Sequence, residues 1–213
     1  MNNQLDELQF KNVRFISPLR MILLLTVVIA AYDTGRAVLA FIDLVKKPGM
    51  DILLVFLWLL TAPLTFAAAV SLFYAYKKLT DGANIAMPVT IGLGLMVLSS
   101  VSNLISQSSI LNGNGLSIMI LCAIVLVCYG ICFLHYQHLG VREMTIFAAG
   151  MGVLCGGYYV VQGAILIGVE PDQLLGYLFS SYVTSLMIAL STFFFVLAID
   201  YGPKIERVDI VDD

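Results

Sequence analysis

LRMILLLTVVIAAYDTGRAVLAFIDLV, residues 19–45, is apolar for long enough to cross a bilayer, yet it carries Asp33 and Arg36 near its middle. A transmembrane helix needs about 20 mainly apolar residues. A charge at bilayer depth costs about 2.5–3.5 kcal/mol on insertion scales, so it marks a candidate functional site. Two opposite charges three residues apart on one helix also admit a plainer reading, mutual neutralisation.

The rest of the chain repeats this apolar pattern. Of its 213 residues 60% are apolar and 12% are charged, against about 25% charged in a soluble domain. Between Asn84 and Gly140 there is no Asp, Glu, Lys or Arg. Nucleic-acid binding, which needs a basic patch, is excluded. Six spans are expected, at 19–45, 52–76, 85–107, 116–136, 144–169 and 174–199, so the fold class is an all-α, six-transmembrane-helix bundle. Turn signals separate them: Pro48-Gly49, Asp81-Gly82, Asn112-Gly113 and Pro171-Asp172. Ser17-Pro18 has the form of an N-cap followed by a first-turn proline. The organisation is a segment over 1–16, a bundle over 17–201 and an acidic tail over 202–213.

Basic residues orient the bundle. Side A, with both termini and the loops after spans two and four, holds Lys11, Arg14, Arg20, Lys77, Lys78, Arg142, Lys204 and Arg207. Side B holds Lys46 and Lys47. The excess of Lys and Arg assigns side A to the cytoplasm. The expected location is a plasma or inner membrane. A competing pattern exists in Arg20, the apolar run to Ile29 and small Ala30-Ala31, which resembles a cleavable signal. The polar prefix before it is long for that role, and apolar character continues to Val45.

Hairpin ends resemble one another. Phe73-x-x-Tyr76-x-x-Leu79 returns 60 residues later as Phe133-x-x-Tyr136-x-x-Leu139, and Phe193 follows at the same interval. Three repeated helix hairpins would give this spacing.

Polar residues concentrate in odd-numbered spans. At 100° per residue, Asp33, Arg36 and Asp43 share one face of span one. Span three carries Ser99, Asn103 and Gln107 at four-residue intervals, and span five carries Tyr158, Tyr159 and Gln162. Such groups must face protein or a watery cavity. The expectation is a pocket open to side B, with Asp33 and Arg36 at its floor and Asn103, Gln107, Tyr158 and Gln162 as candidate ligand-binding or proton-relay groups. The alternative for these residues is hydrogen-bonded glue between helices. Ala148, Gly152 and Gly156, four apart, form a small-residue ladder for close helix packing.

His135 and His138, three apart at a span end, are weak metal candidates because no third ligand is fixed. Anchoring at the interface beside Tyr74, Tyr76 and Tyr136 is the favoured role. The four cysteines lie inside spans, without zinc or disulfide spacing. No phosphate loop, nucleophile elbow or metalloprotease motif occurs, so no enzyme activity and no cofactor are expected. The expected function is a solute-binding or transport component. The alternative is a non-catalytic accessory or assembly subunit of a larger membrane complex. Expected partners are the lipid bilayer and either other membrane subunits or further copies of the chain.

Overall fold

The computed structural model describes residues 2–46, 51–80, 86–108, 115–137, 139–167, 178 and 180–200. Among them the chain is all-helical: α1 Asn2–Val45, α2 Ile52–Thr80, α3 Ala86–Ser108, α4 Gly115–Tyr136, α5 Arg142–Ile167 and α6 Ser181–Asp200. Five of these are long and apolar enough to span a membrane. In α6 the apolar stretch runs over Tyr182–Leu197. The chain is therefore a multi-pass helical membrane bundle. Large apolar side chains point outward all round it, among them Met21, Leu39, Leu53, Phe147, Leu154 and Ile165. In water such a surface would drive aggregation; in a bilayer it is the surface in contact with lipid.

One local feature departs from its sequence signal. Ser17 does not cap a helix, because α1 continues unbroken from Asn2. The prefix is rich in helix formers such as Gln4, Leu5, Glu7, Leu8 and Lys11, so the helix propagates through Pro18. Pro88 lies in the first turn of α3, where its missing N–H has no intrahelical acceptor to lose. Pro63, by contrast, is internal to α2.

Each helix packs on its neighbours in sequence, and α6 closes on α1, so the six helices form a ring. Neighbours run antiparallel. Along α2 and α3, Ser102 donates to the Leu57 carbonyl at 2.7 Å, Ser99 to the Thr61 carbonyl at 3.1 Å and Ser71 to the Pro88 carbonyl at 2.7 Å. Thr26 of α1 meets Ser191 of α6 at 2.9 Å, where the ring closes.

The repeat is visible in what each helix buries. Along the even-numbered helices, Ala68, Cys128 and Ile188 are buried, as are Ala69, Tyr129 and Ala189, and Leu72, Cys132 and Thr192. Each set is spaced by the same 60 residues as Phe73, Phe133 and Phe193. The odd-numbered helices align too, with unequal intervals: Leu19, Val89 and Thr145; Leu23, Leu93 and Ala149; Thr26, Met96 and Gly152. Three hairpins thus present equivalent faces to one centre.

Packing divides the bundle lengthwise. End A, which carries the α2–α3 and α4–α5 connections, is filled by Leu19, Leu23, Leu72, Val89, Phe195 and Val196, each 0–1% exposed. Small residues bring the backbones together there. A Cβ added at Gly92 would lie 3.1 Å from Leu72 Cγ, and one at Gly94 would lie 3.3 Å from the Phe133 ring. Toward end B the same ring opens around a cavity.

Candidate functional site

A cavity of about 120 Å³ occupies the ring centre and is walled by all six helices. Its position follows from helix rise. Asp33 lies twelve residues before the α1 terminus Val45, and Met96 twelve before the α3 terminus Ser108. At 1.5 Å per residue both are roughly 18 Å from end B, about mid-bilayer depth.

Hairpin equivalence extends into the wall. Asp33, Asn103 and Tyr159 continue the odd-helix alignment, and all three line the cavity. Thr65, Val125 and Ser185 are the matching set from the even helices, and they line it as well. Equivalent positions of the three hairpins therefore supply three different polar groups to the wall: a carboxylate, an amide and a phenol.

The polar network is densest between α2 and α3. Thr61 donates to the Trp58 carbonyl at 2.7 Å, and Thr65 donates to the Thr61 carbonyl at 2.7 Å. Thr65 and Ser99 hydroxyls are 3.0 Å apart. Asn103 Nδ2 reaches Cys122 Sγ across the α3–α4 seam at 3.5 Å. On the other side, Tyr159 packs its ring against Tyr182 of α6, centroids 4.7 Å apart. These contacts hold the wall side chains in place.

Of the residues singled out from sequence, the structure brings Asp33 and Asn103 together in the wall. Arg36 does not join them. It is exposed and outside the lining, within electrostatic reach of Asp33. A step of three residues rotates a helix by roughly 60°, enough to carry Arg36 out of the lining. Tyr158 and Gln162 bond one another at 2.8 Å on the exposed face of α5, away from the cavity. Neighbouring Tyr159 is the one that points inward. Gln107 belongs to α3, and its side chain lies outside the described residues.

The small-residue ladder splits in two. Ala148 is buried, and a Cβ added at Gly156 would meet the Leu186 backbone at 3.0 Å, so these two are packing positions, Gly156 at the cavity edge. A Cβ at Gly152 would meet nothing within 4 Å, and Gly152 lines the cavity.

His135 stacks edge-on against Tyr136 at 5.2 Å at the end of α4, while His138 lies outside the described residues. Among the described residues no three His, Cys, Asp or Glu side chains cluster as a metal site. All four cysteines are buried thiols, and Cys122 and Cys155 line the cavity.

Sequence reading assigned the site to spans one, three and five and so passed over the even-numbered helices. Trp58, Thr61 and Thr65 of α2, Tyr129 of α4 and Thr184 of α6 contribute equally to the wall. The 60-residue interval already recognised between Phe73 and Phe133 also links Thr65, Val125 and Ser185. No family model, curated protein or solved structure matches this chain.

Proposed function

We propose that the protein is a membrane-embedded solute-binding or transport component whose site is the central cavity. One observation carries this reading: a space of about 120 Å³, walled by six helices, has an ionisable carboxylate, Asp33, in its lining at mid-bilayer depth. A void that served packing alone would be apolar and dry. Polar groups at this depth are expensive, and facing a ligand or water offsets that cost. The eight basic residues at end A and two at end B support a cytoplasmic end A in a plasma or inner membrane. The dense core at end A and the cavity toward end B then support access from outside. Asp33 and Asn103 are the proposed ligand-binding pair.

Thiol access tests the reading. Cys122 and Cys155 line the cavity, whereas Cys128 and Cys132 face the core. In vesicles holding the Cys128→Ala, Cys132→Ala protein, a small methanethiosulfonate applied at end B should modify both wall thiols. Gly152→Leu, which fills the cavity, should protect them. If neither thiol reacts from either face, the cavity is a sealed void and the proposal is lost.

A second reading has its own observation. Tyr158 and Gln162 form a hydrogen-bonded polar pair on the outer face of α5, within a span. Beside them a Cβ at Gly157 would meet nothing. This arrangement supports a partner helix docking there, as an accessory or assembly subunit requires. Co-purification of a stoichiometric membrane partner, lost with Gln162→Leu, would favour it.

A further inference from the structure

We infer that the solute taken by this cavity is a small organic cation with an N–H-bearing head, a primary ammonium of about four to six non-hydrogen atoms. This rests on the solute-binding reading above and specifies its substrate class. Three independent features of the wall converge on it.

The first is charge. Asp33 is the acidic side chain of the lining, and no Lys, Arg or His lines the cavity among the described residues. Arg36 is exposed and is not part of the lining, although its charge acts on Asp33 from one helical turn away. An anionic ligand would enter a low-dielectric space facing a carboxylate, with no cation in the wall to compensate.

The second is hydrogen-bond polarity. A hydroxyl has one proton and two lone pairs. Thr61, Thr65 and Thr184 spend their protons on the carbonyls of Trp58, Thr61 and Ser180, at 2.7, 2.7 and 3.1 Å. The single Ser99 proton has two acceptors within reach, the Thr61 carbonyl at 3.1 Å and the Thr65 hydroxyl at 3.0 Å. What these groups leave for a ligand is lone pairs. These hydroxyls present acceptors beside Asp33, alongside the donors of Trp58, Tyr129 and Tyr159 in the same lining, and they suit a ligand that brings donors. An ammonium brings three, one for Asp33 and two for hydroxyl oxygens.

The third is size and lining. A cavity of about 150 Å³ accommodates benzene, six carbon atoms, so 120 Å³ admits a molecule of similar size. Trp58, Tyr129 and Tyr159 in the lining provide aromatic surface, which attracts cations and packs against a short alkyl chain.

The experiment is isothermal titration of the full-length protein in nanodiscs with four probes of matched size. Isobutylammonium has charge and donors, tetramethylammonium charge alone, isobutanol neither charge nor more than one donor, and isobutyrate the opposite charge. Isobutylammonium should bind tightest, tetramethylammonium more weakly, and isobutanol and isobutyrate not measurably. A charge-assisted hydrogen bond contributes enough that Asp33→Asn should weaken isobutylammonium by about tenfold to a hundredfold. Asp33→Glu should keep the order of the probes, which separates lost charge from lost fold. Gly152→Leu should abolish binding. Isobutanol binding as tightly as isobutylammonium, or an unchanged affinity in Asp33→Asn, would overturn the ammonium assignment while leaving a solute site. Failure of all four probes also overturns it, and the thiol-access result then decides separately whether the cavity is a site at all.

Discussion

Three glycines of α5 face three different surroundings, so one methyl group added at each should give three different stabilities. At Gly152 the added Cβ meets nothing within 4 Å. The substitution then keeps the helix-propensity gain of alanine over glycine, about 1 kcal/mol. At Gly156 the Cβ would lie 3.0 Å from Leu186 Cα. Backbone yields less readily than a side chain, and an overpacking cost of roughly 1–3 kcal/mol cancels or exceeds the gain. At Gly163 the Cβ would lie 2.6 Å from Tyr182 Cδ1 and 2.7 Å from Cγ. The ring root must move and loosen its contact with Tyr159, so the cost falls at the upper end of that range, about 2 kcal/mol net. For a domain of this size 1 kcal/mol corresponds to roughly 2–4 °C. Thermal unfolding followed by Trp58 fluorescence in one detergent should raise Tm by a few degrees for Gly152→Ala. It should lower Tm by about 4–8 °C for Gly163→Ala, with Gly156→Ala between them. A Gly152→Ala protein less stable than wild type would refute the reasoning, because it would mean that Gly152 touches another helix and not the cavity.

Other expectations follow from single contacts. Thr65→Val and Ser99→Ala, taken through a double-mutant cycle, should show a coupling of about 0.6 kcal/mol, the average for interhelical hydrogen bonds in membranes; zero coupling would mean that the 3.0 Å contact adds no net stability. Phe195→Ala should destabilise by about 3–5 kcal/mol, because the ring is 1% exposed, whereas Phe147→Ala, 71% exposed on the outer surface, should leave Tm within a degree or two. In cells, a cysteine-free protein carrying Lys46→Cys should react with an impermeant thiol reagent from outside, and one carrying Lys77→Cys should not. The reverse pattern would invert the orientation.

Much of the architecture was legible because membrane spans write themselves in long apolar runs. The helix ends at α1–α2 and α2–α3 fall near turn signals that local residues specify, Pro48-Gly49 and Asp81-Gly82. The start of α1 was not legible at Ser17, since a capping pair stops a helix only when the preceding residues prefer another conformation. The site was half legible. Asp33 is costly wherever it sits in a span and announces itself. Its separation from Arg36 depends on helix rotation relative to neighbours, which a single sequence does not carry. Thr61 and Thr65 gave no signal of their own, because a threonine bonded to its own helix costs a span little. Their importance appears only when α2, α3 and α4 stand around one centre. The same holds for Tyr158 and Tyr159, adjacent in sequence, the first exposed and the second in the cavity wall.

Closure of α6 on α1 has a consequence for how the chain could be rewired. The bundle-facing part of α1 begins at end A, where α6 also finishes, and the two helices are neighbours in the ring. A linker there, with a cut at the α2–α3 connection, would yield a circular permutant that starts with α3 and ends with α2. Every helix would keep its neighbours and its direction. In a ring of three like hairpins the order of translation is interchangeable, and what makes the positions unequal is the divergence of equivalent wall positions into Asp33, Asn103 and Tyr159.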